Sequence, residues 1–379
     1  MIIQSKRVWV LDQFIAAQIE IENGKIQRIL PYNSQLIDFD YGNLRIVPGF
    51  IDIHTHGAYG FDTNDANEAG LRNWLSHLPS EGVTSFCPTT ITQSKTVLKA
   101  ALSNVAKVVE NGYDGSEILG IHFEGPFLNP IHKGAQPEIH ICKPSITEFK
   151  EYQAASNGLI KIVTLACELD EDFALTRYLS QNDIVASIGH SDAIYNEACL
   201  AVANGARSMT HVYNGMRGFF HREPGLVGAA LRMNNTFGEV ICDGYHSSFV
   251  ALNNFFKAKG KDYGIMISDS LLLKGMPIGT EKLFGGQKIR LEEDSCARLL
   301  EGHALAGSTL KINEGLKNLV ENALVPFDYA LNSCTINPAR LLHVDNRKGK
   351  IVAGYDADIV VLNDDYTVVQ TYTKGIARL

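Results

Sequence analysis

No stretch of this chain approaches the ~20 consecutive apolar residues needed to cross a bilayer, so no membrane span is expected. The opening Met1-Ile2-Ile3-Gln4-Ser5-Lys6-Arg7 lacks the apolar segment of a secretory leader, which implies a cytoplasmic protein. Cysteine is scarce: there are seven, an odd number, and none form a CxxC pair. That argues against a disulfide framework and leaves reduced thiols that pack as small hydrophobes. Basic runs interleaved with aromatics are missing too, and 34 Lys+Arg against 42 Asp+Glu leave a net charge of −8. Nucleic acid is therefore not expected as a main partner, while a local basic pocket for a small anion is compatible with this balance.

The chain has 379 residues, 45% apolar and 20% charged, enough for one large α/β domain with a smaller appendage. Both ends alternate apolar and polar residues in short runs. At the front these are Val8-Trp9-Val10-Leu11, Ala17–Ile21 and Lys25–Ile29, with Asn23-Gly24 as a hairpin turn signal. At the back they are Gly349-Lys350-Ile351, Ala357–Leu362 and Tyr366–Val369. Residues 1–47 plus 345–379 therefore predict a small β-sandwich domain built from both termini. Between them, apolar runs at 50–54, 83–88, 118–123, 160–165, 184–189, 206–210, 237–242 and 264–268 alternate with helical patterns. Those patterns include 68–80, 95–111, 145–156, 171–181, 192–204 (with Ser191 as N-cap) and 248–259, and another helix carries Pro338 in its first turn. Eight βα units in series predict an α/β fold, a (β/α)8 TIM barrel over residues 48–344, with a doubly wound open sheet as the rival.

Barrel chemistry sits at the C-terminal ends of the strands, so the residues that terminate each apolar run are the test. The first run ends in His54-Thr55-His56-Gly57, and strand alternation points both histidines the same way. The third ends in His122-Phe123-Glu124-Gly125-Pro126, the fifth in Gly189-His190-Ser191 and the sixth in Thr210-His211. The seventh runs into Asp243-Gly244-Tyr245-His246 and the eighth into Ser268-Asp269. A hydrolytic metal needs about three protein ligands and an open position. Glu124, His190 and His211 supply one such set; His54 and His56 hold a second ion, with Glu124 as bridge. Asp269 stands as the proton shuttle. His122 is left out because it is expected to face away from Glu124. His77, His303, His343, His132, His140 and His221 lie in helical or polar loop contexts without ligand spacing.

The string Val47-Pro48-Gly49-Phe50-Ile51-Asp52 before His54-Thr55-His56-Gly57 resembles the opening of the amidohydrolase superfamily. Within it, the chain is similar to the N-acetylglucosamine-6-phosphate deacetylase family nearly end to end. The strings that carry this are His122–Asn129, Gly189-His190-Ser191, Thr210–Met216, Arg222-Glu223-Pro224-Gly225, Asp243–His246, Ser268-Asp269-Ser270 and Asn337-Pro338-Ala339. The resemblance implies metal-dependent hydrolysis of the N-acetyl group of N-acetylglucosamine 6-phosphate, giving glucosamine 6-phosphate and acetate in amino-sugar catabolism. It implies one or two divalent ions, zinc first, with iron, manganese or cobalt suited to the same donors. It also implies a homodimer that shares residues across its active sites. By motif position Asp269 is the catalytic acid/base, and Asn214, Gly215, Asp243 and His246 contact the sugar phosphate. Arg222 reaches in from the neighbouring subunit. Leu305, Ala306 and Gly307 line the acetyl side, and Ala135 and Gln136 belong to the substrate-binding segment after Glu-Gly-Pro. Many members carry a histidine where this chain presents Gln136, and an amide donates a hydrogen bond but supplies no charge. Related amidohydrolases that use a carbamylated lysine as bridge are disfavoured, since no lysine stands at a barrel strand end. A non-catalytic metal or sugar-sensing protein is disfavoured by the retention of Asp269.

Overall fold

Asn23 and Gly24 both take positive φ (50° and 75°), the geometry of a tight hairpin turn, and join the antiparallel strands Gln13–Glu22 and Lys25–Pro31. The structure, a computed structural model, describes residues 1–379. The hairpin belongs to an eight-stranded sheet that also contains Ile2–Val10, Phe39–Asp40, Arg45–Pro48, Ile359–Leu362, Val368–Thr373 and Ile376–Ala377. Arg45–Pro48 runs parallel to Ile2–Val10 and antiparallel to Ile359–Leu362, so one short strand stitches the two termini together. The sheet encloses its own core of Ile3, Val8, Ile19, Ile46, Ile359, Val361 and Tyr372, forming the small β-sandwich.

Eight parallel strands make the barrel: Phe50–Thr55, Val83–Thr90, Ile121–Glu124, Ile160–Leu165, Val185–Ile188, Ser208–Met209, Phe237–Ile241 and Gly264–Ile267. The eighth meets the first where Asp269 donates its backbone N–H to the His54 carbonyl at 2.9 Å. Asp52 reinforces the seam by accepting from the Ser268 hydroxyl at 2.5 Å. Every residue of the first two strands is buried, as expected for a parallel sheet covered on both faces.

Several local expectations fail for identifiable reasons. Glu117–Ile118 pairs only with the second strand, so the third proper begins at Ile121. Ser191 does not cap a helix: its hydroxyl donates to Glu168 at 2.6 Å, and the helix starts at Tyr195, where Glu197 accepts the Ile194 N–H at 2.9 Å. Gly349-Lys350-Ile351 is irregular, because Gly349 (φ 83°) crosses so close to Ile336 that a Cβ would lie 2.8 Å from its Cα. The last long strand begins at Val368, after a turn in which Tyr366 has φ 69°. A three-stranded insertion, Glu281–Phe284, Gln287–Leu291 and Ala297–Leu299, has no counterpart among the expected elements; it packs Phe284, Ile289 and Leu291 against Ile91 and Leu271.

A charged network joins sandwich and barrel. Lys348, 1% exposed, lies 2.9 Å from Glu117 and 3.2 Å from Asp356, and also pairs with Asp358. Arg347 adds contacts to Glu117 at 2.8 Å and Asp356 at 2.6 Å. Removing the buried cation leaves carboxylates without their partner. Lys348→Ala is expected to lower stability by about 3–5 kcal/mol. Lys25→Ala, at the exposed end of the network, is expected to cost about 1 kcal/mol or less. Denaturant unfolding of both variants checks the difference, and equal small losses would exclude a stabilising role for the Lys348 cluster.

Candidate active site

Five barrel strands deliver six side chains to one buried point. Glu124 is central: its Oε1 lies 3.4 Å from His54 Nε2, 3.4 Å from His190 Nε2 and 3.2 Å from His211 Nε2. Its Oε2 is 3.4 Å from His56 Nε2. Asp269 Oδ1 is 3.1 Å from His56 Nε2 and 3.5 Å from His54 Nε2.

The outer ring nitrogens determine what these inner atoms are. His190 Nδ1 donates to the His132 carbonyl at 2.7 Å, and His211 Nδ1 to the Asn214 carbonyl at 3.0 Å. A carbonyl only accepts, so each Nδ1 carries a hydrogen and each Nε2 is the atom left to take a metal ion or a second proton. Those two Nε2 atoms are 3.2 Å apart. His54 Nδ1 sits 3.0 Å from Glu239, and its buried Nε2 has no hydrogen-bond partner. Acceptors that face acceptors in a buried space require positive charge between them, a proton or a metal ion. The donors fall into two groups, Glu124 with His190 and His211, and His54 with His56 and Asp269, the atoms of each within 4.8 Å of one another. This chemistry fits divalent metal, with Glu124 as the residue common to both neighbourhoods.

Burial, aided by the neighbouring His56 and His211, outweighs Glu124 and Asp269 and pushes His54 down to about 4, so its ring is neutral. Burial would do the same to His56 and His211, but Asp269 and Glu124 beside His56 and Glu124 beside His211 outweigh it. They raise these rings to about 10 and about 9. Burial pushes Asp269 up, but the surrounding histidines prevail and hold it at about 2. Three site residues have left-handed backbone without being glycine: His190 (φ 50°), His211 (φ 30°) and Asp269 (φ 48°). Such strain is held by surrounding hydrogen bonds, here Asn129 N–H to the His190 carbonyl at 2.8 Å and Ser308 N–H to the Asp269 carbonyl at 2.7 Å. Gly215 suits its place next to the ligands: its φ of 57° strains other residues, and a Cβ there would press on His190 Nδ1 at 3.1 Å.

A cavity of about 190 Å³ opens onto these atoms. Of the residues expected from sequence, His56, Glu124, His190, His211, Asp269, Ala135, Gln136, Asn214, Gly215, His246, Leu305 and Gly307 line it. His54 lies beneath, fully buried. Asp243 does not line it but holds His246, accepting its Nδ1–H at 2.6 Å. Ala306 is buried in the core under the three-stranded insertion, and Arg222 is exposed away from the cavity. Gln136 is pinned at both ends: its Oε1 accepts the Thr92 N–H and its amide nitrogen donates to Glu124 Oε2, each at 2.7 Å.

His122 does not face away as expected: its ring lies inside the barrel, 4.4 Å from that of His54. It is nevertheless saturated, with Nδ1 3.0 Å from the Ile53 carbonyl and Nε2 2.8 Å from the Thr164 hydroxyl. Sequence reasoning missed Glu239, which stands out as the one charged residue in the run Phe237–Ile241. It also missed Glu168, which orders the loop carrying His190 through Asn129, Ser191 and the Asp192 N–H at 2.9, 2.6 and 2.6 Å.

With His56 near 10 and His211 near 9, both rings are protonated at pH 7.5 in the ion-free protein. Metal loading uses the same lone pairs, so it must release those protons and weaken as pH falls. Calorimetric loading with Zn²⁺ in buffers of different ionisation enthalpy is expected to show release of nearly two protons per chain. Proton-independent loading would contradict this electrostatic picture.

Residues 45–377 match the Amidohydrolase family. The chain is 42% identical over 333 residues to N-acetylglucosamine-6-phosphate deacetylase of Bacillus subtilis, covering 87% of this chain and 83% of the relative. It is 33% identical over 358 residues to N-acetylgalactosamine-6-phosphate deacetylase of Escherichia coli O157:H7, covering 94% and 93%. Its fold superposes with a TM-score of 0.95, at 26% identity and covering 100% and 99% of the chains, on a mutant N-acetyl-D-glucosamine-6-phosphate deacetylase from Mycobacterium smegmatis in complex with N-acetyl-D-glucosamine-6-phosphate. The convergent strand-end ligands and these likenesses agree: the chain belongs to the amidohydrolase family and, within it, to the N-acetylglucosamine-6-phosphate deacetylases.

Proposed function

We propose that the protein hydrolyses the N-acetyl group of N-acetylglucosamine 6-phosphate to glucosamine 6-phosphate and acetate, serving amino-sugar catabolism. The observation that carries this reading is the cavity in which Asp269, Glu124 and the inner histidine nitrogens face a polar chamber large enough for a sugar. Glu124, His190 and His211 would hold one divalent ion, and His54 and His56 a second, with zinc, iron, manganese or cobalt suited to the donors. When bound, such an ion would lower the pKa of water and polarise the amide carbonyl.

The chain's own groups do the rest. Asp269, ionised and partly open to the cavity, accepts a proton from the attacking water and passes it to the departing amine, which otherwise leaves with difficulty. Gln136 has one amide N–H committed to Glu124 and one left for the acetyl oxygen. His246, oriented by Asp243, and Asn214 with Gly215 face the sugar.

No lysine or arginine lines the cavity, so a phosphate there lacks a cationic partner from its own chain. Arg222 sits exposed on the loop before the helix Gly225–Arg232, beside Phe219 (58% exposed) and Phe220 (67% exposed). Two exposed aromatic side chains, three and two residues before an exposed arginine, suit a contact between two copies. We assign Arg222 to the phosphate of the neighbouring subunit in a homodimer.

Acetate release from N-acetylglucosamine 6-phosphate, its 4-epimer and the unphosphorylated sugar tests the substrate. The phosphorylated glucosamine derivative is expected to be fastest, and equal rates with and without phosphate would reject the phosphate site. Asp269→Asn is expected to keep the ion at Glu124, His190 and His211 and lose about 10²–10⁴-fold in kcat; near-normal turnover would remove Asp269 from proton transfer. Arg222→Ala is expected to raise KM for the phosphorylated sugar more than it lowers kcat. Mixing Arg222→Ala with Asp269→Asn chains should restore some activity, and strict absence of restoration would refute sharing between subunits.

A further inference from the structure

Glu239 lies in the seventh barrel strand with its side chain fully buried, deeper than any group that reaches the cavity. Its nearest partner is His54: Oε2 is 3.0 Å from His54 Nδ1, and the ion-pair geometry joins Glu239 to that residue alone. Ser208 Oγ, 3.5 Å from Oε1, is the other polar neighbour. No lysine or arginine is in contact. The same three-residue cluster includes His122, whose two nitrogens are already spent on the Ile53 carbonyl and the Thr164 hydroxyl. The hydroxyls continue as a chain, Thr164 to Thr210 at 2.8 Å and Thr210 to Ser187 at 2.7 Å. The Ile53 carbonyl forces the hydrogen onto His122 Nδ1, so Thr164 must donate to Nε2 and accept from Thr210. His122 therefore has nothing to offer Glu239 or an ion.

This leaves His54 as the only group through which Glu239 can act. Glu239 holds the Nδ1 side of the ring at 3.0 Å, so Nε2 is the nitrogen turned toward the cavity. That nitrogen meets Glu124 Oε1 at 3.4 Å and Asp269 Oδ1 at 3.5 Å, and has no hydrogen-bond partner. We propose that Glu239 is a positioning residue that fixes His54 as a ligand and thereby enables the chain to hold a second divalent ion at His54, His56 and Asp269. The proposal rests on the metal-dependent reading of this site, but its test reads ion content and needs no substrate.

Carboxylate partners of metal-binding histidines change metal affinity by about 10–100-fold when removed. The full-length wild-type protein, stripped by chelation and titrated with Co²⁺, is expected to take up two ions per chain. Glu239→Leu is expected to retain the ion held by Glu124, His190 and His211 and to bind the second about 10–100-fold more weakly. Glu239→Gln, which keeps the shape and an acceptor oxygen, should recover part of that loss. His54→Ala combined with Glu239→Leu is expected to lose no more second-site affinity than His54→Ala alone. Elemental analysis and the cobalt visible spectrum report the ions directly, and the isosteric Gln variant covers the case in which the Leu variant misfolds. Uptake of one ion by the wild type, wild-type-like second-site affinity in both Glu239 variants, or additive losses in the double variant would each overturn the proposal. Two ions with no deacetylation would instead reject only the substrate reading.

Discussion

Six imidazole and carboxylate groups can crowd a buried space only when positive charge sits among them, and the surrounding structure stops them from turning away. His190 is anchored from behind by the His132 carbonyl, His211 by the Asn214 carbonyl and His54 by Glu239. Each anchor holds the Nδ1 side of its ring and aims Nε2 at Glu124. Without the anchors, a ring rotation would relieve the repulsion and the cation site would collapse into ordinary hydrogen bonds. The affinity for a metal ion is thus stored as geometry one layer behind the ligands.

That arrangement needs a frame that does not yield. The ligands come from strands far apart in sequence, and left-handed backbone at His190, His211 and Asp269 adds local strain. A closed parallel barrel with a continuous apolar core supplies the resistance, from Phe50 and Phe86 to Phe255 and Ile267. The terminal sandwich is locked to it by Lys348 and Arg347 through Glu117, Asp356 and Asp358. Asp52 does the same work at the barrel seam. Burial pushes its pKa up to about 6, yet it accepts from the Ser268 hydroxyl and from the backbone of Ser268 and His54.

The strands and ligands are legible in the sequence because both obey local rules. Buried parallel strands read as apolar runs, and strand-end residues come after each run at a fixed offset, so spacing picks out His54, His56, Glu124, His190, His211 and Asp269. Features that escape a sequence reading depend on contacts between distant segments. His122 shares the interior with His54 instead of facing away from Glu124, and its saturation by Ile53 and Thr164 has no sequence signature. Ser191 has the local pattern of a helix cap, but Glu168, 23 positions earlier, captures its hydroxyl. The insertion at 281–299 has short strands with exposed faces, whose weak alternation hides its packing on Ile91 and Leu271. Arg222 is readable only as a motif member, since nothing in its own chain explains its exposure beside Phe219 and Phe220.

Gln136 shows how charge is distributed across the reaction site. Its carbonyl is taken by the Thr92 N–H and one amide hydrogen by Glu124, so its orientation is fixed before any ligand arrives. The remaining N–H is a neutral donor, and hydrogen bonds from charged donors are roughly twice as strong. Where a histidine would bring its own proton to a developing oxyanion, this chain brings none. The positive charge must come from elsewhere in the cavity, and no lysine or arginine lines it. Metal ions held by the strand-one histidines and by Glu124, His190 and His211 are the charge that the donor geometry accommodates. Retaining both His54 and His56 with Glu239 behind them, and placing an uncharged Gln136 in front, are therefore two sides of one electrostatic arrangement. Positive charge is concentrated at the ligands, and the wall that meets the acetyl group only orients it.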